Sequence, residues 1–469
     1  MKRTAPLAFA LAAALAAAAT SVGAPAAAQE QRRPPRADRH FYGTKTPYAP
    51  QQDLHDYQPV PRGFTPVFTE NVARHGSRAM TDPSDGRTVL AVLQAARAQD
   101  GLTRLGERLD PQVRALLAGA AALGWGSLSA RGAEEQRQTA LRMEQRLPAL
   151  FHDIEAGRRP ITVETSGVAR AVASANAFTA GLAAGDPALA GLIRPPVTDR
   201  DLLYFHKQPQ NADYRAYLAG DPELAAVLAE IDGEPGTARA AGHVVARLFR
   251  PGFAAAMAGP DRVAFGRALY QLYGAAPDLR AEAPGVDLDP FLPAEDARWF
   301  AYLDDAEEFY QKGPAFRGRT ITYGMAHVLL DDLFARAEAA AAGTGGSGAV
   351  LRFTHAEEIE PLAVLLGLPG STRPAAPDDP YAYRTNPWRG AEVAPMAANV
   401  QWDVFAGPRQ PGRGTDGGGT DGRPAEGTRY LVRMLYNERE TAFPASCRPI
   451  DRGSFFYDLA ELERCFGRG

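Results

Sequence analysis

The sequence predicts an α/β sandwich interrupted by a mostly α-helical insertion. Strand-like and helix-like segments alternate over residues 61–196 and again over 321–469, whereas the stretch 197–320 is dominated by helical periods rich in Ala, Leu, Tyr and acidic residues. At 469 residues, the chain is long enough for one large domain carrying an insertion, or for two domains.

In order along the chain, Lys2 and Arg3 precede a long Ala/Leu/Phe/Val run that ends in Ala26-Ala27-Ala28 before Gln29, the pattern of a secretory signal over residues 1–28. A membrane anchor is the alternative, less suited because the run is Ala-dominated and broken by Thr20, Ser21 and Gly23. Residues 29–60 are rich in Pro, Arg, Gln and Tyr without an apolar period and read as an extended or mobile N-terminal arm. Val67 to Ala73 reads as a strand, and helical spacing follows around Val89 to Gln99 and Pro111 to Leu123. Ser129-Ala130-Arg131-Gly132 opens a longer helical pattern through Leu150. Ile161 to Glu164 is a short strand with a helix from Ala169 to Leu182 after it. Beyond the insertion, the glycine-rich run 343–348 is a loop and Ala349 to Thr354 a strand. A helical pattern through Ile359, Leu362, Leu365 and Leu366 follows. Pro408 to Gly427 is Gly/Asp/Arg/Pro-rich and is expected to be a variable surface loop.

A formal net charge of -4 argues against a nucleic-acid partner, and no later segment is long and apolar enough to suggest a membrane span after signal cleavage. Lysine is scarce, limited to Lys2, Lys45, Lys207 and Lys312. The two cysteines, Cys447 and Cys465, lie near the C-terminus of a chain that reads as exported, so a disulfide is expected, with two free thiols as the alternative. His40, His55, His152, His206, His243 and His327 show no spacing or carboxylate cluster typical of zinc.

The chemistry concentrates in three turns. Asn71-Val72-Ala73-Arg74-His75-Gly76-Ser77-Arg78 places one imidazole between two guanidinium forks, and a neutral imidazole can attack phosphorus while the forks hold phosphate oxygens. Gly76 is expected to let the backbone approach the anion. Thr165 to Arg170 joins a strand to a helix start, where free amides and the helix dipole add to Arg170. Thr354-His355-Ala356-Glu357 follows a strand, with His355 a candidate donor to phosphate and Glu357 a candidate proton source for a leaving alkoxide. Tyr204-Phe205-His206-Lys207 stands out because lysine is so scarce, and Lys207 with His206 is a candidate contact to a second phosphate. A solvated lysine is the plain alternative.

The Arg74–Arg78 string resembles the signature of the histidine acid phosphatases, a branch of the phosphoglycerate-mutase-like superfamily. "FTHAEEIEPLAVLLGL" is similar to the multiple inositol polyphosphate phosphatase subgroup, which has His-Ala-Glu where other histidine acid phosphatases have His-Asp. "LSARGAEEQRQTALRMEQRL", "ETSGVARAVASANAFTAGL", "NPWRGAEVAPMAANVQWDVF" and "YLVRMLYNERETAFP" are similar to further segments of the same enzymes, and a C-terminal cysteine pair fits their ending. The resemblance runs from about residue 60 to 467 and is weakest in the insertion. It departs at Ala79-Met80, where most relatives place a proline.

The resemblance implies a phosphoglycerate-mutase-like sandwich with a helical cap over 197–320. It also implies catalysis by His75 as nucleophile, Arg74, Arg78, Arg170 and His355 as phosphate ligands, and Glu357 as acid and base. No cofactor or metal is implied, and the expected substrate is an inositol polyphosphate handled by a periplasmic or secreted monomer. A broad acid or sugar phosphatase, a phosphotransferase and a non-catalytic phosphate-ligand binding protein remain as alternatives.

Overall fold

The computed structural model describes residues 40–408 and 427–468. The expected signal segment and residues 409–426 of the expected surface loop lie outside the described residues.

The sheet is built from β1 (Thr65–Arg74), β2 (Ile161–Thr165), β3 (Val197–Thr198), β4 (Ala349–Thr354), β5 (Asn399–Pro408), β6 (Thr428–Tyr436), β7 (Arg439–Thr441) and β8 (Phe456–Asp458). Their order is β3-β2-β4-β1-β5-β6-β7, with β8 also pairing β6. Strands β3, β2, β4 and β1 run parallel, whereas β5 to β8 are antiparallel to their neighbours. Seven consecutive residues of β1, Phe68 to Arg74, are buried, as expected where helices cover a parallel sheet from both sides.

Alternation along the strands feeds two apolar layers. Ala349, Leu351 and Phe353 pack with Met143, Phe151 and Phe178 from the helices Ala130–Arg146, Pro148–Ala156 and Ala169–Gly185. On the other face Val72, Val350, Val400 and Trp402 join a larger core with Leu329 and Phe334 of the helix His327–Ala341. That same core continues through Phe265, Phe300 and Phe309 of the helical segment, so the insertion shares its apolar interior with the sheet. Between β4 and its neighbours a fully buried Arg352 binds Glu70 at 2.9 Å, Glu164 at 3.3 Å and Asp332.

Three local expectations change. The pattern from Ser129 through Leu150 forms two helices, because Pro148 lacks the amide needed to continue and begins a new helix at its first position. Residue pair Val197–Thr198, expected within the insertion, is strand β3 at the sheet edge. Residues 40–60 are fastened rather than mobile: Tyr48 Oη donates to Glu438 at 2.9 Å, and Gln58 N donates to Glu440 at 2.9 Å. Cys447 and Cys465 form a disulfide.

Candidate active site

In the parallel pair β1/β4, Arg74 is level with Thr354, so His75 and His355 leave the sheet side by side at the strands' carboxyl ends. The His75 amide donates to the Thr354 carbonyl at 2.9 Å, and the two imidazole centroids lie 5.4 Å apart. On the far side of β4, the Ser166 amide donates to the Phe353 carbonyl, just beyond the end of β2. Four residues later Arg170, in the first turn of its helix, reaches His355 Nδ1 from Nη2 at 3.1 Å.

Donor and acceptor rules fix the protons on both rings. His75 Nδ1 lies 2.9 Å from the Gly76 carbonyl, which can only accept, so Nδ1 carries the hydrogen and Nε2 keeps its lone pair. Arginine can only donate, so His355 Nδ1 is the acceptor and its Nε2–H faces Ser166 Oγ at 2.9 Å. Burial, reinforced by Arg74, His355, Arg78 and Arg170, holds the His75 pKa well below the usual imidazole range. Burial and Arg170 lower that of His355 to about 3. Both rings are therefore neutral, and His75 presents an unprotonated nucleophilic nitrogen.

Three guanidinium groups surround them. Arg74 is anchored through Nη1 on the carbonyls of Thr44, at 2.6 Å, and Ala394, while Arg78 Nη1 donates to the Ala79 carbonyl at 2.8 Å. None of Arg74, Arg78 and Arg170 has a carboxylate ion pair among the described residues, and the Nε of each is buried without a hydrogen-bond partner. Burial and the neighbouring Arg170 and Arg74 pull the Arg78 pKa down to about 10. Like charges crowded this way with idle donors are suited chemically to a multiply charged anion.

Glu357 stands in the first turn of the helix Ala356–Leu365, with Oε1 3.6 Å from Lys312 Nζ. Burial acts to raise its pKa, but opposing charge, above all the Lys312 ammonium, outweighs that and holds it well below the usual carboxylate range. In the free site Glu357 is thus a carboxylate. Lys312 simultaneously binds Glu308 at 2.6 Å.

The turn that carries His75 is fastened from behind. Gln136 Nε2 donates to the Arg74 carbonyl at 2.9 Å, the Gly76 amide donates to Ser174 Oγ at 3.1 Å, and the Ala397 amide donates to the His75 carbonyl at 3.0 Å. Ala397 holds a φ of 54°, a left-handed backbone that a non-glycine residue adopts only when its surroundings enforce it. Gly76 faces Gly132 back to back, and a Cβ on Gly76 would fall 2.6 Å from Gly132 Cα. The glycine is required by this helix contact.

The second candidate contact divides. His206 is buried and spends Nδ1 on Glu358 at 2.6 Å, so that nitrogen is unavailable to a phosphate. Glu358 also accepts from Thr354 Oγ1 at 2.8 Å, which ties the ring to the end of β4. The Lys207 side chain is exposed and makes no ion pair among the described residues. Packing also assembles a histidine–carboxylate group that the sequence spacing did not suggest: His243, Glu295 and Asp296 lie on two adjacent helices with ligand atoms within 4.8 Å. The pairing of His243 with Asp296 at 3.4 Å accounts for that grouping.

The model for the histidine phosphatase superfamily (branch 2) matches residues 68–216 and 282–437, which include every residue of this site. The chain belongs to that superfamily. It is 26% identical to multiple inositol polyphosphate phosphatase 1 of Homo sapiens, over 89% of this chain and 85% of the human protein, and 24% identical to the Gallus gallus protein of that name, over 87% and 84%. The crystal structure of Bifidobacterium longum multiple inositol polyphosphate phosphatase with inositol hexasulfate is 30% identical and superposes with a TM-score of 0.81. That match covers 91% of this chain and 97% of that one. The phosphate complex of the same enzyme gives 0.82.

In this histidine phosphatase, Lys312, Ser166 and the carboxylates Glu135 and Asp278 behind the turn join the site only through folding. Lys312 shares with Lys207 the signal of lysine's scarcity. The others carried none, because a buried Ser or Asp is recognised by its partners and those lie far away in sequence.

Proposed function

We propose that the chain is an exported phosphomonoesterase that hydrolyses inositol polyphosphates through a phosphohistidine. The observation that carries this reading is the neutral His75, its proton fixed on Nδ1 by Gly76, beside three buried arginines with idle donors. The names of the relatives support the substrate class, and the C-terminal disulfide is compatible with an oxidising compartment.

In the first step the His75 Nε2 lone pair attacks phosphorus in line and the bond to the ester oxygen breaks, with its electron pair leaving on that oxygen. Glu357 supplies the proton that turns the departing alkoxide into an alcohol. Arg74, Arg78 and Arg170 neutralise the equatorial oxygens, and the Gly76 carbonyl stabilises the Nδ1–H of the phosphorylated ring. In the second step Glu357 accepts a proton from water as its oxygen attacks phosphorus, the P–N bond breaks, and His75 returns neutral. Glu357 begins paired to Lys312, so it gains its proton when an arriving phosphate competes for that lysine and adds negative charge nearby. His355 joins as a donor once Arg170 turns to the phosphate and the neutral ring changes tautomer, with Nδ1 taking the hydrogen and Nε2 accepting from the Ser166 hydroxyl. The helical segment that follows β3, residues 200–320, acts as a cap and brings Lys312, and exposed Lys207 is the candidate for a second phosphate.

The test is phosphate release from phytate and from p-nitrophenyl phosphate by the mature protein, with chelator present, beside His75→Ala. Metal-independent turnover favouring phytate and abolished in the variant is expected. Turnover of the small ester alone would remove inositol polyphosphates from the reading, and none with either substrate in folded protein would remove hydrolysis.

A further inference from the structure

Ser77, between His75 and Arg78, has a hydrogen-bond arrangement that its own hydroxyl cannot satisfy. Its Oγ lies 2.8 Å from Glu135 Oε1 and 2.9 Å from Asp278 Oδ1, and all three side chains are buried. A serine hydroxyl owns one hydrogen and an ionised carboxylate owns none. With both acids ionised, one of these contacts would set oxygen against oxygen, so one carboxyl must carry a proton.

The remaining partners identify which. Glu135 accepts three donors, the Ser77 amide at 2.8 Å, the Ser77 hydroxyl, and the Tyr48 amide at 3.1 Å, an environment suited to a carboxylate. Asp278 has Ser77 as its hydrogen-bond partner and faces Glu135.

We infer that Asp278 is a positioning residue that donates a carboxyl proton to Ser77 Oγ, while Ser77 donates to Glu135, so that one proton locks the helical insertion onto the catalytic turn. The inference rests on the reading of His75 and its flanking arginines as the reacting centre. Asp278 lies in the one-turn segment Ala276–Leu279 and Glu135 in the helix Ala130–Arg146, so the chain of two hydrogen bonds joins three elements separated in sequence. Ser77 is also clamped by Ser129, whose amide and hydroxyl both donate to the Ser77 carbonyl at 2.9 and 3.0 Å. Rotation of Ser77 would carry His75 and Arg78 with it.

The charged groups around Asp278 agree with this assignment. Burial and the like charge of Glu135 raise its pKa to about 8, against the opposing pull of Ser77, Arg78 and Arg74. Of the other helices packed on this turn, Gly259–Ala275 buries no charged side chain, and Arg104–Leu123 buries Asp110, which Arg97 and Arg114 hold. The proton is therefore retained in acid and neutral solution and leaves in mild alkali, which sets Asp278 and Glu135 in repulsion across Ser77.

Two measurements on the full mature protein test this. Infrared difference spectra of wild type minus Asp278→Asn at acid pH should show the carbonyl stretch of a protonated carboxyl, a readout independent of any activity. Its absence would overturn the assignment even if phosphatase activity is found, and its presence stands even if the enzymatic reading fails. In pH profiles with p-nitrophenyl phosphate, Asp278→Ala should lose about 10- to 100-fold in kcat with little change in KM. Asp278→Asn, whose amide donates without ionising, should rescue most of that loss and move the alkaline limb to higher pH. A limb unchanged in Asp278→Asn, or an equal loss in both variants, would show that the proton on Asp278 does not position the turn.

Discussion

The division of labour between Glu357 and Lys312 is decided atom by atom. A carboxylate 3.6 Å from an ammonium is a poor acid, and this pair is what places the Glu357 pKa low in the free site. Replacing Lys312 with Met removes the largest of the lowering influences, so the Glu357 pKa must rise and the protonated fraction at a given pH must grow. The pH profile for phytate should shift toward neutrality. An unmoved profile would mean that Lys312 does not tune the acid. Glu357→Gln should cost about 10²- to 10⁴-fold in kcat with an alkyl phosphate and much less with p-nitrophenyl phosphate, whose leaving group departs without help. The motif around His75 was legible in the sequence because nucleophile and arginines are neighbours there. Lys312 was not singled out, because 45 positions separate it from Glu357 and only folding makes them partners.

At the level of elements, the β6–β7 hairpin illustrates how a turn becomes a structural hub. Asn437 and Glu438 form a two-residue connection with φ of 49° and 60°, the conformation that matches the strand twist. Glu438 is nonetheless buried, and its carboxylate binds Arg142 and Arg146, each at 2.6 Å, and accepts Tyr48. Glu438→Ala would leave Arg146 buried without its counter-charge, and a loss of about 3–5 kcal/mol is expected in the denaturant-derived stability, with kcat of the remaining folded fraction preserved. A loss under 1 kcal/mol would show that water replaces the carboxylate. Strands and most helices were readable from apolar period. The break at Pro148, edge strand β3 and the anchored lead-in were not, since each depends on what the segment packs against.

For the whole molecule, several acids are buried in ways that favour the protonated form. Burial raises Asp278 to about 8 and Asp305 to about 7, and Asp305 keeps one buried oxygen unpartnered while the other accepts Tyr383 at 2.6 Å. For acids raised above their unfolded value, the stabilising contribution is complete below about pH 4 and is lost as pH rises through 7 to 8. The thermal midpoint is therefore expected to fall between pH 5 and 8, with a smaller fall in Asp305→Asn. A midpoint that climbs across this interval would show that ion pairs such as Glu438 with its arginines dominate instead.

By itself, the sequence determined the family, the α/β sandwich, the candidate site around His75 and its flanking arginines, and the expectation that its two cysteines pair. These follow from local strings and from hydrophobic period, where neighbours in sequence stay neighbours in space. The tertiary structure alone decided which nitrogen of His75 and of His355 holds the proton, that Lys312 answers Glu357, that His206 belongs to Glu358, and that Ser77 bridges Glu135 and Asp278. Protonation depends on burial and on partners a few ångströms away, and in this fold those partners arrive from segments tens to hundreds of residues apart.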